Sequence, residues 1–167
     1  MNIRSVAGPT LLLLVAALSG CYQSTLPLGP SERGTIDRAL VGSWSCVDPK
    51  DATNRAVVTS RALDAHRYEV EWREEPDHVT HYRAFATRIG SEALLNVEEV
   101  GPDRTDRRFV FLRARRVPGG GLSMAVVNED ALKGRTGQAA IAEITRRVAD
   151  PTLYGPFATC TATVPRP

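Results

Sequence analysis

The stretch Arg67–Arg88 (RYEVEWREEPDHVTHYRAFATR) has the pattern of a β-hairpin. At its start Tyr68, Val70 and Trp72 alternate with charged residues, so the apolar side chains lie on one face of an extended chain. Residues 74–77 (EEPD) place a proline and an aspartate where a turn favours them, and the chain then returns as a second strand. This stretch therefore predicts an antiparallel sheet with one buried face and one wet face.

Six further short runs, apolar or alternating, flank the hairpin. They cover residues 40–46, 56–60, 93–100, 108–115, 122–128 and 156–164. Turn residues such as glycine and proline separate them, which is typical of a β-sandwich or a barrel. Because most neighbouring runs are joined by short loops, we predict a mainly β fold, a small antiparallel up-and-down barrel of about eight strands.

A helical period appears only late in the chain. Residues 138–150 place Ile141, Ile144 and Val148 on one face of a helix that an Asp-Pro pair ends. Residues 128–134 predict a shorter helix before it. The barrel is therefore expected to carry one substantial helix, in the C-terminal half of the chain.

The first 20 residues have the layout of a secretory signal. Arg4 precedes an apolar run at residues 11–18, and small residues then lead directly to Cys21. The run is shorter than the roughly 20 apolar residues that cross a bilayer. Leu18-Ser19-Gly20-Cys21 resembles a bacterial lipobox, which implies that Cys21 is lipidated on its sulfur and becomes the first residue of a mature lipoprotein.

The resemblance divides the chain into a signal peptide at residues 1–20, a lipidated cysteine with a flexible tether at residues 21–35, and the barrel domain at residues 36–167. The tether is predicted from its prolines, glycines and small polar residues. Fully extended, it would span roughly 45–50 Å. Since Tyr22 rather than aspartate follows Cys21, the resemblance implies anchoring at the periplasmic face of the outer membrane more than in the inner membrane.

The charge balance limits the partners of this chain. The 167 residues include 21 basic and 19 acidic side chains. Removal of residues 1–20 leaves 147 residues, which suits one domain, and takes away only Arg4 among the charged residues. The remaining part is nearly neutral and has no field to steer it toward nucleic acid. We expect the membrane, through the lipid on Cys21, as a partner and no nucleic acid.

Two cysteines, Cys46 and Cys160, remain once Cys21 is assigned to the lipobox. An even number in an exported chain predicts a disulfide, which would join the first barrel strand to the last. Two separate buried thiols are the alternative. A metal pair is disfavoured because these cysteines lack the close spacing of metal ligands.

The first predicted strand begins with Gly42-Ser43-Trp44, after a short helical turn at residues 36–40. This is similar to the Gly-x-Trp motif of the lipocalin barrels. The resemblance implies a lipocalin-like barrel in which Gly42 and Trp44 are structural residues and Trp44 packs across the closed end. It concerns architecture, because a fold alone implies no function.

The sequence contains none of the common catalytic signatures. Of its three histidines, His78 and His81 are three apart on a predicted strand, so their side chains point to opposite faces. His66 lies at the far end of the same hairpin. The acid pairs at 74–75 and 98–99 lack a nucleophile or a defined partner. We therefore predict that the protein is not an enzyme and has no catalytic residue, no metal site and no cofactor.

The strand at residues 108–115 bears on the function. Arginines near its end mark the odd-numbered face as the outer one, where the helix would cover two phenylalanines. Val110, Leu112 and Ala114 then line the interior and leave room for a ligand. The leading hypothesis is a binding module for a small apolar or amphiphilic molecule. The alternative is a protein-interaction or envelope-assembly factor, with an envelope protein as partner and a barrel filled by side chains.

Overall fold

The computed structural model describes residues 20–102 and 106–163. The predicted signal peptide, apart from Gly20, lies outside the described residues. The described part contains β1 (Gln23–Ser24), β2 (Gly42–Asp48), β3 (Asp51–Ala62), β4 (Arg67–Glu75), β5 (His78–Ile89), β6 (Glu92–Val100), β7 (Phe109–Val117), β8 (Gly121–Val127), α1 (Gly137–Arg146) and β9 (Tyr154–Ala162), with 3-10 turns at Ser31–Arg33, Asp130–Leu132 and Pro151–Leu153.

Strands β2 to β9 form a closed up-and-down barrel. Each strand pairs antiparallel with the next along the chain, and β9 closes the ring by pairing with β2. In that closing ladder Trp44 lies opposite Ala162 and Cys46 lies opposite Cys160. The predicted fold is therefore confirmed: a lipocalin-like antiparallel barrel of eight strands with one helix in the C-terminal half.

The predicted hairpin forms β4 and β5, with Val70 opposite Tyr82. The register shifts once, between Arg73 and Glu75, where the extra residue makes a bulge beside the turn. The alternation of apolar and charged residues thus predicts both the two strands and the fact that they pair with each other.

Most strand ends lie within a few residues of the predicted ones, and the larger differences concern β3 and the helices. β3 begins at Asp51 rather than at residue 56, because its polar first residues extend the strand as an exposed ribbon beyond the apolar run. The shorter helix shrinks to the single 3-10 turn Asp130–Leu132, and α1 ends at Arg146. Hydrophobic patterns define the buried part of an element better than its exposed ends.

The two ends of the barrel differ. The Trp44 end carries the short turns at residues 63–66, 90–91 and 118–120, and the chain enters the barrel there through residues 35–41. The Cys21 end carries the turns at residues 49–50 and 76–77, the β6–β7 loop and the connection that contains α1. Cys21 belongs to this end because it forms a β-bridge with Asn128, directly after β8.

One outer wall of the barrel is apolar and covered. Phe109 and Phe111 project outward from β7 and are 1% and 0% exposed. α1 packs against them through Ala140 and Ile144, both completely buried. Burial of each phenylalanine contributes about 2–3 kcal/mol to folding. The helix therefore has the position that the sequence pattern predicts.

Residues 21–40 differ from the predicted tether, and we call them the N-terminal strap. They begin beside the end of β8 at the Cys21 end, where β1 pairs with the edge of β7, and continue over the outer wall to the Trp44 end. Within the strap, Gln23 of β1 lies opposite Val110 of β7, and Tyr22 is only 4% exposed. The physical reason is that Tyr22 and Leu28 cover the apolar wall beside α1, and this burial outweighs the flexibility that prolines and glycines suggest.

Asn96 holds the middle of the strap. Its side chain is completely buried, and its Oδ1 accepts a hydrogen bond from the Leu28 N–H at 2.7 Å. Its Nδ2 donates to the Phe85 carbonyl oxygen and to the Thr87 hydroxyl oxygen. Because both ends of the amide have partners, its burial is compatible with a stable wall.

Candidate functional site

Large side chains fill one part of the barrel interior. The inner cluster surrounds the disulfide and consists of Trp44, Cys46, Val58, Leu122, Ala158 and Cys160. Toward the Cys21 end, Trp72 packs on Phe157 with ring centroids 5.6 Å apart. Side chains therefore occupy this part of the lumen.

The wall formed by β5, β6 and β7 carries smaller side chains. Pairing places Ala86 opposite Leu95 and Leu95 opposite Leu112, all on the inner face. Ala93 and Ala114 continue this wall toward the Trp44 end, where a cavity of about 330 Å³ opens. The cavity exists because alanines stand where a filled barrel would need large residues.

The end of the N-terminal strap closes the cavity on the side opposite this wall. Thr35, Ile36, Asp37 and Leu40 line it together with Tyr68 of β4. The strap therefore has two roles, since its first half covers the outer wall and its last residues lie over the interior.

Besides Thr35, three polar side chains border the cavity: Asp37, Tyr68 and Arg88. The Asp37 N–H donates to the Tyr68 hydroxyl oxygen at 2.5 Å, and the Asp37 carboxylate accepts from the Ala39 N–H at 2.8 Å. Burial raises the pKa of Tyr68 above its ordinary value, so this hydroxyl stays neutral. Arg88 lies exposed at the rim, and no hydrogen bond or ion pair joins its guanidinium to another residue in the described part of the chain.

The residues predicted to line the interior are on the inner face of β7. Val110 lies opposite Val97, Leu112 opposite Leu95 and Ala114 opposite Met124. All three are half-buried, whereas the neighbouring phenylalanines point outward and are covered. Ala114 borders the 330 Å³ cavity, and Val110 and Leu112 lie farther along the same wall, toward the Cys21 end.

Gly42 and Trp44 begin the first barrel strand. Gly42 has a φ of 143°, a backbone conformation that glycine adopts without strain and other residues avoid. Trp44 is 4% exposed and lies opposite Val58 in the inner cluster. The glycine thus permits the entry turn, and the tryptophan fills the interior directly behind it.

The predicted disulfide is confirmed. Cys46 of β2 and Cys160 of β9 are bonded, with their Cα atoms 4.0 Å apart and a sequence separation of 114. Both are 1% exposed. The bond therefore joins the two strands whose pairing closes the barrel.

Cys21, the predicted lipidation residue, is a half-buried free cysteine at the start of the strap. Burial raises the pKa of its thiol, and the positive charge of nearby Lys50 opposes this effect. Within the described ranges, no helix is both long and apolar enough to span a bilayer.

The histidines have no common site. His78 and His81 are exposed on β5. His66 instead supports the strap, since its Nδ1–H donates to the Gly34 carbonyl oxygen at 2.8 Å. A Cβ at position 34 would come within 2.6 Å of the His66 carbonyl oxygen, so this close passage requires glycine. Across residues 20–102 and 106–163, no cluster of His, Cys, Asp and Glu is suited to hold a metal ion.

The sequence-based search missed Tyr68, Arg88 and the strap residues as parts of the site. The alternation in residues 67–73 predicts only that Tyr68 lies on the buried face of its strand. A usable signal was present in β5, where Ala84 and Ala86 occupy consecutive inward positions, since two small inward residues in succession indicate a gap.

Comparison of the chain with protein-family models, with curated proteins and with solved structures finds no match.

Proposed function

We propose that this protein is a lipid-anchored, non-catalytic lipoprotein of the cell envelope whose barrel binds a small apolar or amphiphilic molecule. The lipid on Cys21 attaches it to a membrane, by preference the periplasmic face of the outer membrane. The support for the anchor is the lipobox-like sequence Leu18-Ser19-Gly20-Cys21.

The observation that carries the binding function is the cavity beside the Trp44 end. Its 330 Å³ lies at the lower limit of ligand pockets, which range over about 300–1,000 Å³. Such a volume holds on the order of ten water-sized groups. The ligand is therefore small, with an apolar part against Leu95 and Ala114 and any polar part at Tyr68 or Arg88 on the rim.

The filled part of the lumen favours a second candidate function. Trp44, Leu122 and the disulfide leave no space in that part, as in a barrel that serves only as a scaffold. In that case the outer surface binds an envelope protein, and the cavity is only a packing defect. A titration with a ligand probe separates the two functions.

Ala114→Trp tests the carrier function. The full chain with Cys21→Ala provides a form without the anchor, and an environment-sensitive apolar dye is titrated into it. We expect saturable binding, and we expect Ala114→Trp to abolish it because the indole fills the cavity. Ser123→Trp adds the same side chain on the exposed outer face of the adjacent strand and should bind dye normally.

Binding of the dye that survives Ala114→Trp would place the dye elsewhere and contradict the cavity as the site. Absence of saturable binding by a panel of apolar and amphiphilic probes, with the barrel folded, would favour the scaffold function instead.

Cys21→Ala also tests the anchor. Wild-type protein from a bacterial envelope should enter the detergent phase and carry added lipid mass on Cys21, and the variant should do neither. Equal membrane association of the two proteins would contradict lipid anchoring at this residue.

A further inference from the structure

The lipidation residue is attached to the barrel without an intervening linker. The Tyr22 N–H donates to the Val127 carbonyl oxygen at 3.1 Å, and Cys21 forms a β-bridge with Asn128. Two residues later Ser24 pairs with Phe109 and is 4% exposed. A lipid on Cys21 is therefore one residue away from a fixed point of the fold.

The contacts from Tyr22 onward survive removal of the signal peptide, whereas the Cys21–Asn128 bridge loses one of its two hydrogen bonds. Cleavage before Cys21 removes the carbonyl of Gly20, which accepts a hydrogen bond from the Glu129 N–H. The buried ring of Tyr22, its N–H bond and the β1–β7 pairing all lie after the cleavage point. The mature N-terminus thus keeps its place on the barrel.

The anchor and the cavity lie at opposite ends of the barrel. Cys21 lies beside the end of β8, at the end that also carries the β2–β3 turn with Lys50. The cavity lies at the Trp44 end, between the strap and the wall that contains Arg88 and Ala114. At about 3.3 Å per residue and a tilt of about 40° to the barrel axis, a strand of nine residues such as β7 separates the two ends by roughly 20–25 Å.

We propose that the lipidated barrel stands on the bilayer in one orientation, with the Cys21 end at the membrane surface and the cavity facing away from it. This inference rests on the proposed lipidation of Cys21. A free tether of 14 residues would let the barrel turn in any direction within roughly 45 Å of the surface. With Tyr22 and Ser24 fixed, the Cys21 end stays next to the bilayer unless β1 separates from β7.

The orientation has a consequence for the ligand. A cavity that faces away from the bilayer exchanges its ligand with the aqueous compartment or with a protein there. Direct uptake of a molecule from the supporting leaflet would require the Trp44 end to reach the membrane, which the short attachment prevents.

Energy transfer between the protein and lipid headgroups tests this orientation. Purified lipidated protein carries a donor dye on Lys50→Cys at the Cys21 end or on Leu63→Cys, at an exposed position of the Trp44 end. It is reconstituted in phosphatidylethanolamine–phosphatidylglycerol vesicles with acceptor-labelled headgroups. We expect transfer to be several-fold more efficient from position 50 than from position 63.

A linker variant is the matched control. Twelve Gly/Ser residues inserted between Cys21 and Tyr22 leave the strap contacts from Tyr22 onward intact and free Cys21 with its lipid. The difference between the two dye positions should then nearly disappear.

Two results would overturn the inference, and the intact mass distinguishes them. Equal transfer from positions 50 and 63 in protein that carries the lipid mass would contradict the fixed orientation and leave the lipid anchor standing. Protein from the bacterial envelope without the lipid mass would contradict the anchor, and the orientation with it.

Discussion

The indole Nε1–H of Trp44 donates a hydrogen bond to the carbonyl oxygen of Leu40, at 3.3 Å. The hydroxyl of Ser60 donates to the same oxygen. The Leu40 carbonyl oxygen of the strap therefore accepts hydrogen bonds from side chains of both β2 and β3. Because Leu40 also lines the cavity, the tryptophan fixes the position of a cavity wall.

Replacement of Trp44 should destabilise the barrel and loosen this wall. We expect Trp44→Ala to lower the free energy of unfolding by about 3–5 kcal/mol, as for other large aromatic side chains removed from a core. Trp44→Phe retains most of the ring and loses the hydrogen bond, so its cost should be smaller. Equilibrium unfolding in urea measures both. A loss below about 1 kcal/mol for the alanine variant, the range of surface changes, would contradict a structural role.

The disulfide should account for a large part of the stability. Its closed loop spans 114 residues, and the lost freedom of the unfolded chain corresponds to about 4–5 kcal/mol. The double variant Cys46→Ala with Cys160→Ala should therefore unfold at a lower denaturant concentration. Reductant should shift the wild type in the same direction and leave the variant unchanged. A wild-type midpoint that does not move after complete reduction would contradict this role.

The amino-acid pattern was sufficient to predict most of the fold. Alternation in RYEVEWR identifies a half-buried strand because a closed sheet has one dry face, and the hairpin and the disulfide follow from local patterns and cysteine count. The strap could not be predicted in this way. Polar residues and one proline separate Tyr22 from Leu28, and the stretch has no period. Their burial depends on an apolar outer wall that forms only when the folded barrel places Phe109 and Phe111.

Asn96→Ala should detach the middle of the strap. It removes the acceptor of the Leu28 N–H and the donor to the Phe85 carbonyl, and we expect a loss of about 1–3 kcal/mol from the buried groups left unpaired. Hydrogen exchange should become faster at the amide of Leu28 while the β4–β5 ladder stays protected. Thr59→Ala, which affects a partly buried hydroxyl on the remote strand β3, serves as the control. Unchanged exchange at Leu28 would contradict this role of Asn96.

The stability should fall at alkaline pH. Burial raises the pKa of Tyr68 and of Tyr154 in the folded protein. A raised pKa in the folded state means that folding favours the neutral tyrosine. The stabilisation that each tyrosine contributes to the folded state is therefore complete below its ordinary pKa of about 10 and is lost as the pH rises above that value. Tyr68→Phe should cost about 1 kcal/mol near neutral pH through its hydrogen bond with Asp37, and should reduce the alkaline loss. Tyrosinate absorbance during a pH titration measures the two pKa values, and unfolding curves of wild type and Tyr68→Phe at each pH measure the loss of stability.

The candidate site was less predictable than the fold. The inward direction of Ala114 follows from the period of β7, because Arg113 and Arg115 mark the other face. The cavity itself depends on where the strap ends and on which inward positions of three strands carry alanine. Arg88 and Tyr68 come together with residues 35–40 only through the closed topology, which no local pattern reports.

Native mass spectrometry of the protein purified from its own envelope tests the central claim most directly. We predict one small apolar or amphiphilic molecule bound per chain, absent from Ala114→Trp and present in Ser123→Trp prepared in the same way. Wild-type protein that is folded, carries its disulfide and still shows only the mass of its own ligand-free chain, before and after incubation with an extract of envelope lipids, would contradict a carrier function for this barrel.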